Sequence, residues 1–178
     1  TFASGDNLLT GGVSDSEIFL YARIDERIYF SPDGGISWED KGIQPQWTFM
    51  INSFNSSNIH SNIITLGGME VFFSNNSGTS WDLVNHWYDY YNDPASLLHA
   101  DIPEIRFFLD NNGEEFVLIS TDGGIYASYD YFENNENLSL EGLGVSQYYS
   151  TYTKRTNPYH IYAGSQDQGF QRSTGDNG

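Results

Sequence analysis

The chain contains no cysteine, so it has neither a disulfide framework nor a thiolate metal site. Basic residues are scarce, with 7 Lys and Arg against 24 Asp and Glu and a formal net charge of −17. Such a surface repels polyanions, which argues against nucleic acid or an anionic membrane as partner. No apolar run approaches transmembrane length, and no membrane insertion is expected. With Thr1 rather than Met in first place, the chain reads as processed or as a piece of a longer polypeptide. What it has in quantity is Gly, Asn, Ser, Tyr and Phe, spread as short strand-like runs between turn residues. That composition belongs to an all-β protein.

The organising stretch is Ile28–Trp38, an alternating strand followed by Ser31-Pro32-Asp33-Gly34-Gly35 and then Ser37-Trp38. Asp33 can accept hydrogen bonds from its own turn, and Gly35 permits a positive φ. Trp38 carries a large apolar area that predicts burial. The outline returns as Ser74, Asn76, Gly78 and Trp81, more weakly as Ser128 and Asp130, and in truncated form at Ser173. The four serines are spaced by 43, 54 and 45 residues. A period of about 40–50 residues with four strands per unit is the signature of propeller blades. The expected units are 1–46, a partial first blade whose residues Thr1–Glu17 read as loop or incomplete strand; 47–98, a second blade plus a long aromatic connection; 99–144, a third; and 145–178, a partial fourth. A segment of three to four four-stranded antiparallel blades cannot close a ring, so the remainder of a larger propeller or multidomain protein is an expected partner.

The pattern at Ser31–Trp38 resembles the Asp-box, or bacterial neuraminidase repeat, found in sialidases, xyloglucan-hydrolysing propellers, sortilin-like receptors and bacterial surface proteins. The runs Leu118–Tyr126 and Ala163–Gln171 are similar to those of secreted bacterial glycosyl-hydrolase-like repeat proteins, and the resemblance spans residues 18–173. It implies a secreted or cell-surface bacterial protein and a structural role for the box residues. Asn76 replaces the box Asp in the second copy; Tyr131-Phe132 replaces the Gly pair in the third, where a looser turn is expected. Sialidase activity would need a cluster of arginines, whereas Arg23, Arg27, Arg106, Arg155 and Arg172 occupy differing blade positions.

Successive hairpins in a blade alternate ends, so the turn between strands two and three lies opposite the Ser-Asp turn. By analogy with the family, ligands sit at the former end. That end would gather Asp25, Glu26, Gly67 to Glu70, Asp122 and Gln166 to Gln168, including Asp167, with the long connection Asn85–Pro103, which carries Trp87, Tyr88, Tyr90, His99 and Asp101. Aromatic rings beside carboxylates suit a neutral polysaccharide; the alternative is that the rings simply pack the connection onto its own blades. Glycoside hydrolysis would need paired carboxylates, for which Asp101, Asp122 and Asp167 are the candidates. His99 with Asp101 could form a metal pair, but Pro103 stands where a second His would complete the motif, and no metal or other cofactor is expected. Two functions follow: a non-catalytic propeller binding polysaccharide or a protein, or a glycoside hydrolase resembling the xyloglucan-hydrolysing propellers.

Overall fold

The computed structural model describes residues 7–46, 52–140, 148–165 and 169–173. These form antiparallel sheets, each a simple up-and-down meander. The first sheet is β1 (Leu8–Ser14), β2 (Glu17–Ile24), β3 (Arg27–Ser31) and β4 (Glu39–Ile43). The second is β5 (Phe54–Ser56), β6 (Ile64–Gly67), β7 (Val71–Ser74) and β8 (Asp82–Leu83). The third is β9 (Glu104–Leu109), β10 (Glu115–Thr121), β11 (Gly124–Ser128) and β12 (Glu136–Asn137). Together these three sheets lie in one compact unit. A second unit, from residue 142 onward, holds β13 (Tyr148–Thr153), β14 (Ile161–Ser165) and β15 (Gly169–Ser173). The protein is an all-β propeller segment.

The stretch before Glu17, expected as loop or incomplete strand, forms a seven-residue strand. Gly11 and Gly12 hide the alternation there, yet both are needed. A Cβ on Gly11 would lie 2.3 Å from the Phe19 carbonyl oxygen, and one on Gly12 would lie 2.3 Å from that of Asn58. Conversely, the outer strands β8 and β12 are only two residues long, shorter than the runs Ser80–Val84 and Glu136–Leu140 suggest.

The first strands β1, β5 and β9 lie side by side, joined by side-chain amides rather than by a continuous ladder. Thr10 Oγ1 donates to Asn55 Oδ1 (2.8 Å), and Asn55 Nδ2 donates to the Ile105 carbonyl (3.0 Å). Apolar residues fill the wedges between sheets. Phe19, Tyr21, Ile28 and Phe30 of the first blade pack with Phe54, Ile64 and Leu66 of the second. Ile63 and Val71 of the second pack with Ile105, Phe107, Val117, Ile119, Tyr126 and Phe132 of the third. The second blade thus buries one face against the first and the other against the third, the neighbour-only packing of a repeat protein.

The Ser-Asp turns are built alike. Gly35 N–H donates to Ser31 Oγ (2.8 Å), Gly78 N–H to Ser74 Oγ (2.9 Å) and Phe132 N–H to Ser128 Oγ (2.8 Å). Asp33, Asn76 and Asp130 each accept at Oδ1 from the backbone N–H four residues on, at 2.8, 2.9 and 2.9 Å. Asn76 loses no contact by being an amide, because its Nδ2 donates to Ser80 Oγ (2.7 Å) where Ser37 Oγ donates to Asp33 Oδ2 (2.6 Å). The third turn is not looser. Tyr131 and Phe132 adopt φ of 55° and 74°, matching Ser77 and Gly78 (58° and 79°). The strain of a left-handed aromatic is offset by burial: the Phe132 ring stacks obliquely on Phe73 of the preceding blade, 5.4 Å between centroids.

Burial of Trp38 is not found. It is 42% exposed, whereas Trp81 packs on the cluster shared by the first two blades. The two indoles are equivalent in register but not in surroundings, since Trp81 lies against the cluster that the first blade shares with its own.

Candidate functional site

The end opposite the Ser-Asp turns is organised by the connection between the second and third blades. It leaves β8, forms a 3₁₀ segment at Trp87–Asn92, and returns along the turns of both blades. The Asp101 and Ile102 N–H groups donate to the carbonyls of Met69 and Gly68 in the β6–β7 turn (3.1 and 2.8 Å). Asp122 N–H, in the β10–β11 turn, donates to the Ala100 carbonyl (3.3 Å). Asp101 and Asp122 are therefore carried by adjoining segments at one end of the sheets. Asp33 and Asp130 sit in third-to-fourth-strand turns at the other end.

His99 anchors this return. It is buried, edge-on to Tyr90 at 4.6 Å and to Tyr91 at 6.2 Å between centroids. Its seat exists because Gly123 lacks a side chain: a Cβ there would come within 2.5 Å of His99 Cβ. His99 and Tyr90 thus support the surface from beneath, the packing role weighed against ligand contact for these rings. Tyr126 adds a second anchor, its hydroxyl donating to the Pro94 carbonyl (3.2 Å), and burial pushes its pKa upward.

Above this floor the aromatics are open. Trp87, Tyr88, Tyr91 and the neighbouring Met69 are all exposed, Tyr88 and Tyr91 by more than half. Tyr88 stacks on His86 at 5.0 Å with planes 12° apart, and Trp87 meets Tyr88 edge-on at 5.8 Å. Glu70, expected at this end from its place in the second-to-third-strand turn, fixes this array. Its Oε1 accepts from the Trp87 N–H (3.1 Å) and lies 3.3 Å from His86 Nδ1, while its backbone carbonyl accepts from Gln46 Nε2 (2.6 Å). Nothing in the local sequence pairs Glu70 with a segment sixteen residues away; only its place in a second-to-third-strand turn beside the connection points to it. The result is an acidic-rimmed apolar ledge.

Gln166 and Asp167 lie outside the described residues. Among the described residues no group of three or more His, Asp or Glu side chains is placed to hold a metal ion. Arg27 is paired with Asp40 (2.6 Å) and Arg106 with Glu104, each within its own blade, and they build no common carboxylate-binding site.

No protein-family model and no curated protein matches the chain. Among solved structures it is similar to the GH74 xyloglucanase of Xanthomonas campestris (14% identity, TM-score 0.49) and to a Niastella koreensis GH74 enzyme (14%, 0.46). It covers 26% of each of those chains with 90% of its own. It is also similar to YCF48 solved with a D1 peptide (9%, TM-score 0.41), covering 50% of that chain with 93% of its own. The chain thus spans about a quarter of the length of the GH74 enzymes it resembles in fold.

Proposed function

We propose that this chain is a segment of a larger Asp-box propeller, secreted or displayed at a bacterial cell surface, whose Asn85–Pro103 connection binds a neutral polysaccharide without cleaving it. The observation that carries this reading is the ledge of Trp87, Tyr88 and Tyr91, open to solvent yet held by Glu70 and His99. Flat rings pack on the apolar faces of sugars, and surrounding carboxylates accept hydrogen bonds from hydroxyls. A net charge of −17 disfavours anionic glycans, which points to an uncharged chain such as a glucan.

The hydrolase reading draws on the adjoining positions of Asp101 and Asp122, with Asp167 as a third carboxylate in the sequence. A glycan array followed by an assay for reducing ends separates the two. Binding of neutral glycans without release of reducing ends supports the module, and turnover abolished by Asp101→Asn or Asp122→Asn replaces it with the hydrolase. Retention of proteins but of no glycan replaces polysaccharide with a protein partner.

A further inference from the structure

The open rings of the connection do not share a plane. Trp87 and Tyr88 are 37% and 51% exposed, and their planes cross at 76° with 5.8 Å between centroids. His86 lies nearly parallel to Tyr88, 12° apart at 5.0 Å, and so takes one of its two faces. Tyr91 likewise stands across its supports, at 75° to Tyr90 and 73° to His99. The ledge is therefore a corner of crossed ring planes and not a flat aromatic platform. Glu70 sets that corner. Its Oε1 accepts from the Trp87 N–H (3.1 Å) and lies 3.3 Å from Nδ1 of His86, the ring on which Tyr88 stacks. One carboxylate from the β6–β7 turn thus ties both open planes to the same point.

A sugar gains most from an aromatic ring when its apolar face lies flat against that ring. Crossed planes therefore require that sugars contacted in succession be turned relative to one another. A ribbon-like glucan keeps its apolar faces parallel along the chain, so it can lie on Trp87 or on Tyr88 but not on both. A coiling glucan turns its successive rings, and neighbouring residues of one strand can meet the two planes together. We propose that the ledge selects neutral glucans that coil over those that extend as flat ribbons. The proposal rests on the reading of Asn85–Pro103 as a polysaccharide site and narrows its ligand from any uncharged glucan to a coiled one. Both open planes are used at once, and Glu70 is the positioning residue that keeps them crossed.

Three soluble oligosaccharides test it by titration calorimetry: α-linked maltoheptaose and β-linked laminariheptaose, which coil, and cellohexaose, which extends flat. At least one coiling probe is expected to bind about tenfold or more tightly than cellohexaose, since it gains a second stacked ring. The two coiling arms identify the linkage that supplies the coil. Trp87→Ala and Tyr88→Ala should each bring that probe down to the affinity of cellohexaose. Glu70→Ala, its fold checked by circular dichroism, should lower the ratio of the two affinities towards one. Glu70→Gln retains an acceptor for the Trp87 N–H and should restore part of that ratio. Equal or tighter binding of cellohexaose, or a ratio that Glu70→Ala leaves unchanged, overturns the proposal and leaves the polysaccharide reading in place. So does capture of other neutral glycans on the array with none of the three probes bound. Failure of every neutral glycan to bind refutes both readings together.

Discussion

Phe132 combines two terms of opposite sign, and substituting it separates them. Phe132 is 8% exposed and lies against Phe73 of the preceding blade, within a cluster that also holds Ile63 and Val71, so truncation to Ala removes a buried aromatic and leaves a cavity at the seam. Such changes cost about 3–5 kcal/mol. Yet the backbone at this residue has φ of 74°, the left-handed region in which any Cβ is strained by roughly 1–2 kcal/mol. Glycine, which stands at the same register as Gly35 and Gly78, relieves that strain. Phe132→Gly should therefore be more stable than Phe132→Ala by about 1–2 kcal/mol, the reverse of the order expected in a regular strand or helix. Urea unfolding followed by circular dichroism measures both. A loss below about 1 kcal/mol for the Ala variant would refute the seam packing, and an Ala variant more stable than the Gly variant would refute the turn assignment.

The remaining predictions concern the buried polar seam, the Ser-Asp turn and the ledge. Glu115 is 8% exposed and accepts from Ser57 Oγ, from the Asn58 N–H (2.7 Å) and from the Tyr131 hydroxyl (3.2 Å). Glu115→Gln turns an acceptor oxygen into a donor facing donors, and should cost roughly 1–3 kcal/mol by urea unfolding; Tyr131→Phe should cost less. The Ser37 hydroxyl and N–H hold the Asp33 carboxyl at about 2, below the usual carboxylate range. The stabilisation from this lowered pKa is present above about pH 4 and is lost as pH falls through about 2. Asp33→Asn, which can adopt the bonding of Asn76, should keep the fold and flatten that part of the acid profile; a wild-type-like acid limb in this variant would refute the bonding. Trp87→Ala and Tyr88→Ala should each weaken glycan binding at least about tenfold while leaving the melting temperature unchanged, because neither ring is buried. A fall in melting temperature with unchanged affinity would return both to a packing role.

The periodicity of Ser31, Ser74, Ser128 and Ser173 carries the architecture because that serine hydroxyl receives the turn N–H at the first three of these positions. Register follows from it, and register alone places Asp122 and Asp33 at opposite ends. Environment is a different matter. Trp38 and Trp81 sit in like turns, and their exposure differs because of what lies beyond each blade, which no residue of the local motif encodes. The third turn is degenerate in residue type but not in backbone; Phe132 shows that positive φ can be stabilised by a seam contact rather than by glycine. At the ledge, aromatic enrichment marked the segment, but the split between supports (Tyr90, His99) and open rings (Trp87, Tyr88, Tyr91) depends on Gly123 and Glu70, which are distant in sequence.

The central claim is that function and scaffold lie at opposite ends of the blades. It is tested most directly by titrating one neutral polysaccharide identified by array against Trp87→Ala and Asp33→Asn side by side, using calorimetry for affinity and thermal unfolding for stability. The expected pattern is crossed: Trp87→Ala loses affinity and keeps its melting temperature at pH 7, while Asp33→Asn keeps affinity and changes only the acid dependence of its unfolding. Loss of affinity in Asp33→Asn, with Trp87→Ala binding like the wild type, would contradict the account.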